Sequence, residues 1–461
     1  MVWSGDRAVK AWVALWLVVV MSCQVMAEAP TSGDASSKLA SLEEAQQEFV
    51  SSGEILTYIP ERQWQHELAS RDIDSLRALV NDLMTLAAEM GYDPQRDMGA
   101  IPLNLASKRF NQRPPTPAPL RDFEREPGPF GVHRYQFPKS GVPTFAGADV
   151  AIYPEDLVAG KVDVAFVGVP SNQSSGRRDA SAAPVEMRSL NTIGAADLQS
   201  LLRPLDVLAV VDYGNVYPDW TSPERSVKHI SEMMAETAAT GAVPMIIGGD
   251  TSILYPSVVG VAQAHGAEPI GLLHFSAHPD VAADADHTLS DRRALYRLLD
   301  DGIVEGESTI EVGLRGPDVT VESLQWLRDQ GVRYHTMAEV RERGFEKVAK
   351  RVLREVKRAP DKLFLSIDVS AITPTQMIAA GRASPGGMQV DQLVQLVRTV
   401  CASKVIVGFE ITDLAPMMDL SRLSVMHANA IVNACLGGMA VRKQGLDADY
   451  IHPLVLDHGQ R

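Results

Sequence analysis

The sequence predicts an α/β protein built on a mainly parallel sheet, with a helical N-terminal extension. Three observations carry that expectation. From about residue 148 onward, short apolar, β-branched runs alternate with helical patterns, the mark of β-α-β units. The 461 residues, 45% hydrophobic and 22% charged, suit a soluble globular chain able to bury a large core. Ahead of the alternating region stands a different pattern, an amphipathic helix and then a proline-rich connector.

The N-terminus reads as an export signal. Arg7 and Lys10 precede an apolar core over 11–22, and Val25-Met26-Ala27 offers a small-residue cleavage site before Glu28. The apolar core is short of the ~20 residues that span a bilayer comfortably. Residues 1–27 are thus expected to be a signal peptide, and the product periplasmic or secreted. A retained anchor and lipid attachment at Cys23, where Val20-Met21-Ser22-Cys23 loosely resembles a bacterial lipobox, are the alternatives.

Residues 28–40 are small and polar, a flexible linker by composition. Leu76, Leu79, Val80, Leu83, Leu86 and Ala87 follow helical spacing, with Asp74 as N-cap and Gly91 as stop. Pro114 to Pro119 form an extended connector. The chain divides by pattern into residues 28–140, linker and helical extension, and 141–461, the α/β domain. Strands are expected at 163–169, 207–211, 242–247, 270–275, 309–313, 362–367 and 404–409. Helices are expected at 226–240, 252–265, 292–300, 337–357, 390–402 and 422–437.

After the leader only Cys401 and Cys435 remain, both among apolar neighbours. Free buried thiols are the default expectation, and a disulfide is the alternative that an oxidising compartment allows. A net charge of −15 disfavours nucleic-acid binding and supports solubility.

Candidate chemistry gathers at three strand ends, where ligands bind in open parallel sheets. Leu273-His274-Phe275-Ser276-Ala277-His278-Pro279-Asp280 and Leu363-Phe364-Leu365-Ser366-Ile367-Asp368-Val369-Ser370 both end in closely spaced polar side chains. The run at 242–247 ends in Gly248-Gly249-Asp250-Thr251-Ser252. Alternation along a strand would put Ser276, His278 and Asp280 on one face, and Asp368 and Ser370 likewise.

These segments resemble the ureohydrolase family, the arginases and agmatinases, in order and spacing closer to the agmatinases. Further matching segments are Val142-Pro143-Thr144-Phe145-Ala146-Gly147, Ala165-Phe166-Val167-Gly168-Val169-Pro170, Val312-Gly313-Leu314-Arg315-Gly316, Ser384-Pro385-Gly386-Gly387-Met388, and the run from Val407 to Asp419. Together they cover roughly residues 140 to 450. The resemblance implies a three-layer α/β/α sandwich and hydrolysis of guanidino groups by a hydroxide held between two manganese ions. It also implies assembly as a trimer or hexamer.

The same comparison shows what has changed. Of the family's six metal ligands, His278, Asp280 and Asp368 match, while Thr251, Ser276 and Ser370 stand at the other three positions. The family's active-site glutamate falls on Asp413, and His287 lies where the family has a substrate-contacting histidine. Asp250 and His274 fit supporting positions behind the ligands. Neutral hydroxyls are weak ligands for manganese-like ions, and two carboxylates do not neutralise two dications. The sequence therefore argues against a dinuclear manganese centre. It leaves open no metal, or a single divalent ion (Mn, Zn or Ni) on His278, Asp280 and Asp368.

Two functions are carried forward. The first is an exported, non-hydrolytic family member acting as a partner subunit or as a binder of a small guanidino or amine ligand. The second is an active, metal-dependent hydrolase of C–N bonds in a guanidino or amidine compound, with Asp413 and His287 assisting.

Overall fold

The structure is a computed structural model; it describes residues 32–90, 125–133, 141–173, 179–190, 192–219, 221–282, 289–457 and 459. The expected leader, Cys23, the proline connector and His287 lie outside the described residues. The chain forms two compact units, Met1–Lys108 and Arg109–Arg461.

In the first unit, helices Ser32–Ala40, Glu44–Ser51, Glu61–Ser70 and Ile73–Met90 gather around Leu42, Phe49, Trp64, Leu68, Leu76 and Val80. The linker expectation is corrected for residues 32–40, whereas 28–31 lie outside the described residues. Ala35 and Leu39 pack against this cluster, and tertiary burial overrides a polar composition. The helix at 76–87 is present, but its cap is Asp72, whose carboxylate accepts the Ser75 N–H at 2.8 Å, rather than Asp74.

The second unit carries a nine-stranded sheet: β1 Asp149–Val150, β2 Val164–Gly168, β3 Val210–Asn215, β4 Val243–Ile247, β5 Ile270–Phe275, β6 Thr309–Leu314, β7 Arg333–Thr336, β8 Lys362–Asp368 and β9 Val405–Thr412. The strand order is β1-β3-β2-β4-β9-β8-β5-β6-β7, and every pairing is parallel. Six of the seven expected strands are present to within three residues, whereas the one expected at 207–211 begins later, as β3, because Pro204–Val207 forms a helical turn. The two not expected, β1 and β7, are the edges, where a short strand with one neighbour leaves little pattern to read.

Helices cover both faces. Phe345–Arg358, Val390–Ser403 and Leu423–Lys443 bury Val352, Leu393, Val397 and Ile431 against one. Pro223–Ala239, Leu254–His265, Ala294–Asp300 and Val321–Asp329 bury Met234, Val258, Leu295 and Leu327 against the other. This is the three-layer sandwich. The single helix expected at 337–357 is two, Met337–Arg343 and Phe345–Arg358, because Gly344 breaks it in a left-handed conformation (φ 85°). Cys401 and Cys435, expected as free thiols, form a disulfide, with Cα atoms 5.3 Å apart. The packing of Val390–Ser403 on Leu423–Lys443 brings them together.

Candidate functional site

Strands β4, β9, β8 and β5 are consecutive in the sheet, so their carboxyl ends form one cleft. Thr251, Asp413, Asp368 and Ser276 stand just at or past those four ends, all buried. Strand alternation does not place them. β5 stops at Phe275, and Ser276 to Asp280 follow in loop, with Asp280 in the left-handed region (φ 49°). Ser370 lies in a 3₁₀ turn, Val369–Ala371, whose N-cap is Asp368.

Asp368 is the centre of the cluster. Its Oδ1 accepts the Ser370 N–H at 2.7 Å. Its Oδ2 accepts from Ser276 Oγ at 3.0 Å, Thr251 Oγ1 at 3.2 Å and Arg382 Nη2 at 3.2 Å. Thus the hydroxyls of Thr251 and Ser276 spend their hydrogens on the central carboxylate. The third, Ser370, accepts the Ala277 N–H at 3.2 Å through Oγ. Burial opposes ionisation of Asp368. The Arg382 guanidinium, His278 and the Ser370 bonds outweigh it and hold the carboxyl below its usual range.

Asp280 is forked by the same arginine: Nη1 to Oδ1 at 2.8 Å and Nη2 to Oδ2 at 3.0 Å. Burial nevertheless pushes its carboxyl up to about 6, against the pull of the Arg382 guanidinium. Arg382 Nε stands 3.3 Å from Asp291 Oδ2, a third carboxylate. The Arg382 side chain is buried to 13% exposure. Sequence reading missed Arg382 and Asp291. The available signal was indirect: acids without metal need some other buried cation.

His278 turns Nδ1 to Asp318 Oδ2 at 2.8 Å and Nε2 to the carbonyl of Arg382 at 2.9 Å. Both ring nitrogens are thus engaged by groups of this chain, a carboxylate on one side and a main-chain carbonyl on the other. Asp413 (φ 65°) accepts the Arg382 N–H at 2.6 Å through Oδ2, while Oδ1 has no partner among the described residues. Burial first, then the charge of Asp368, keeps its carboxyl well above the usual range. Asp250 caps the Thr251–Ile253 turn by accepting the Ser252 N–H at 3.2 Å.

Beneath the cluster a polar row crosses four strands in register: Glu311, His274, Ser366 and Glu410. All four are fully buried. Ser366 Oγ donates to Glu410 Oε1 at 2.7 Å and lies 2.9 Å from His274 Nδ1. Burial raises Glu410 to about 7, so that it titrates close to neutrality, and lowers His274 to about 4, which leaves that ring uncharged there. Glu311, whose carboxylate oxygens have no hydrogen-bond partner among the described residues, is pushed well above the usual range by burial and then by Asp280 and Asp368.

Arg315 fixes the loop that carries Arg382. It donates to the carbonyls of Ser370 at 2.6 Å, Ile372 at 3.1 Å, Ser384 at 3.0 Å and Pro385 at 3.0 Å, clamping both ends of the loop. A cleft of about 440 Å³ opens beside the cluster, lined by Asp280, Asp318, Thr320, Glu322 and Trp326 among others.

Comparisons with known proteins place the whole arrangement. The Arginase family model matches residues 162–437. The mitochondrial guanidino acid hydrolase of Rattus norvegicus is 28% identical over 277 residues, 59% of this chain and 76% of its own. The mitochondrial agmatinase of Gallus gallus is 28% identical over 285 residues, 60% of this chain and 82% of its own. A solved structure of a hypothetical agmatinase from Burkholderia thailandensis superposes with a TM-score of 0.60 at 25% identity, covering 70% of this chain and 99% of that one. The nine-stranded parallel sandwich, the ordered strand-end motifs and these relatives agree that the chain belongs to the Arginase family of ureohydrolases.

Proposed function

We propose that this chain is an exported, non-hydrolytic member of its family, which holds a small guanidino or amine ligand, or a partner, instead of turning over a substrate. The single observation that carries the reading is the bridge Asp280–Arg382–Asp368. The residues do not fit a pair of manganese ions. Both oxygens of Asp368 are taken by donors of this chain, Asp280 is forked by a guanidinium, and both ring nitrogens of His278 are engaged by Asp318 and the Arg382 carbonyl. A cation already sits among the carboxylates, and a second or third positive charge there would meet it at short range in a poorly screened interior. The same three engagements oppose a single ion on His278, Asp280 and Asp368.

Export is supported by the charged start, short apolar core and small-residue cleavage site of residues 1–27, and by the disulfide between Cys401 and Cys435. Assembly of identical chains into a trimer or hexamer belongs to the same reading, and light scattering on the purified protein checks it. The functional test is an assay of urea and ammonia release across a panel of guanidino and amidine compounds with Mn, Ni, Zn and Co. No turnover is expected. Turnover that Asp368→Ala abolishes would instead establish an active hydrolase, the alternative that the hydrolytic names of the relatives support.

A further inference from the structure

We propose that the space enclosed by Asp280, Asp291 and Asp368 is a guanidinium seat. The Arg382 side chain is its resident occupant, and a free guanidinium ion takes the same place once that side chain is removed. The inference deepens, and rests on, the reading of the cluster as a non-metal site.

Geometry is the first argument. The contacts are those of a planar fork: two parallel N–H···O bonds to Asp280 at 2.8 and 3.0 Å, one to Asp368 at 3.2 Å, and Nε 3.3 Å from Asp291. Asp280 and Asp368 accept hydrogen bonds from the plane of nitrogens and Asp291 adds an ion pair at its Nε edge, which matches a guanidinium bidentately and a point charge poorly. Charge is the second. A delocalised, weakly hydrated cation loses less on entering a closed cavity than a compact ion does, and the Arg382 side chain is seven-eighths enclosed by its 13% exposure.

The third argument is that the loop backbone and two of the walls, Asp368 and Asp291, are held by bonds other than those of the occupant, Asp291 Oδ1 accepting from Ser290 Oγ at 3.0 Å and the Arg292 N–H at 2.9 Å. The backbone of the Arg382 loop is held by bonds that survive truncation at Cβ. Gly381 N–H donates to the Asp413 carbonyl at 2.8 Å, Arg382 N–H to Asp413 Oδ2 at 2.6 Å, and Ala415 N–H to the Ala379 carbonyl at 2.7 Å. His278 Nε2 holds the Arg382 carbonyl at 2.9 Å, and Arg315 clamps Ser384 and Pro385. Asp368 keeps Ser276, Thr251 and Ser370 as donors. Truncating the side chain therefore leaves a space with three carboxylates and no cation, of which Asp280 alone loses its hydrogen-bond donors.

The experiment is thermal unfolding of full-length Arg382→Ala with guanidinium chloride in the low millimolar range, against sodium chloride at equal ionic strength and against manganese chloride. Loss of a buried pairing cation is expected to lower Tm by about 10 °C. Guanidinium should restore at least half of that loss, saturably, as a ligand bound only by the folded state does. Arg382→Lys keeps a charge without the fork; it should fall between the two and show no guanidinium response. If Arg382→Ala does not fold unaided, its refolding yield against the same three salts reads the same selectivity. Equal recovery in sodium chloride, no saturable recovery in guanidinium, or a larger recovery in manganese would overturn the proposal. Urea release by the unaltered chain would overturn the non-hydrolytic reading, whereas lost guanidinium selectivity in Arg382→Ala would remove the seat alone.

Discussion

Arg382 Nη2 lies 3.2 Å from Asp368 Oδ2, and the same guanidinium grips both oxygens of Asp280. Two acids that the family resemblance assigns to metal coordination are thus joined by an organic cation from the chain itself. Asp280→Asn removes one partner of a buried pair and leaves the guanidinium undercompensated. The expected loss is about 3–5 kcal/mol, measured by urea unfolding. Asp318→Asn, whose side chain is 37% exposed, should cost under about 1 kcal/mol.

The polar row predicts a pH effect. Burial raises Glu410 to about 7 from the ordinary glutamate value of 4.5. A carboxyl whose folded pKa is raised stabilises the fold while protonated, and that contribution is lost as pH rises through the window between those two values. Glu410→Gln keeps the shape without the charge. Its Tm relative to the unaltered chain should climb from about pH 4.5 to about pH 7 and level off above. A difference that stays flat across this window would show that Glu410 titrates normally in the folded protein.

How much of this was legible in the sequence follows from range. Strands β2 to β6, β8 and β9 declare themselves through local apolar runs, and the ordered strand-end motifs place Asp368, Ser276 and Thr251 in one cleft. Arg382 was not legible. It stands 102 residues from Asp280 along the chain, in a loop whose path is fixed by Arg315 and by Asp413, and no local pattern encodes that path. His278 illustrates the same limit from the other side. The family resemblance gives it a ligand position, yet its ring is spent on Asp318 and a carbonyl. Ser276 and Ser370 were grouped with their neighbours by strand alternation, whereas a loop and a 3₁₀ turn deliver them.

The disulfide ties together two helices that pack side by side, across a separation of 34 residues. Loop-closure entropy for a ring of that size predicts a stabilisation of about 4 kcal/mol. Cys401→Ser with Cys435→Ser should lower the unfolding midpoint accordingly, and a reductant should lower that of the unaltered chain but not of the double variant.

Export makes a plain chemical prediction. Expressed in a host with a secretion pathway, the mature chain should begin at Glu28, as read by intact mass and N-terminal sequencing. A chain that retains residues 1–27 would point to an anchor, and a diacylglycerol adduct at Cys23 to lipid attachment.

The central claim is that a side-chain cation stands where the family resemblance puts two manganese ions. Its most direct test is metal analysis of the protein purified from manganese-supplemented culture and dialysed without chelator. The account predicts manganese well below one ion per chain. Two tightly held ions per chain, with Arg382 displaced in the accompanying crystal structure, would contradict it.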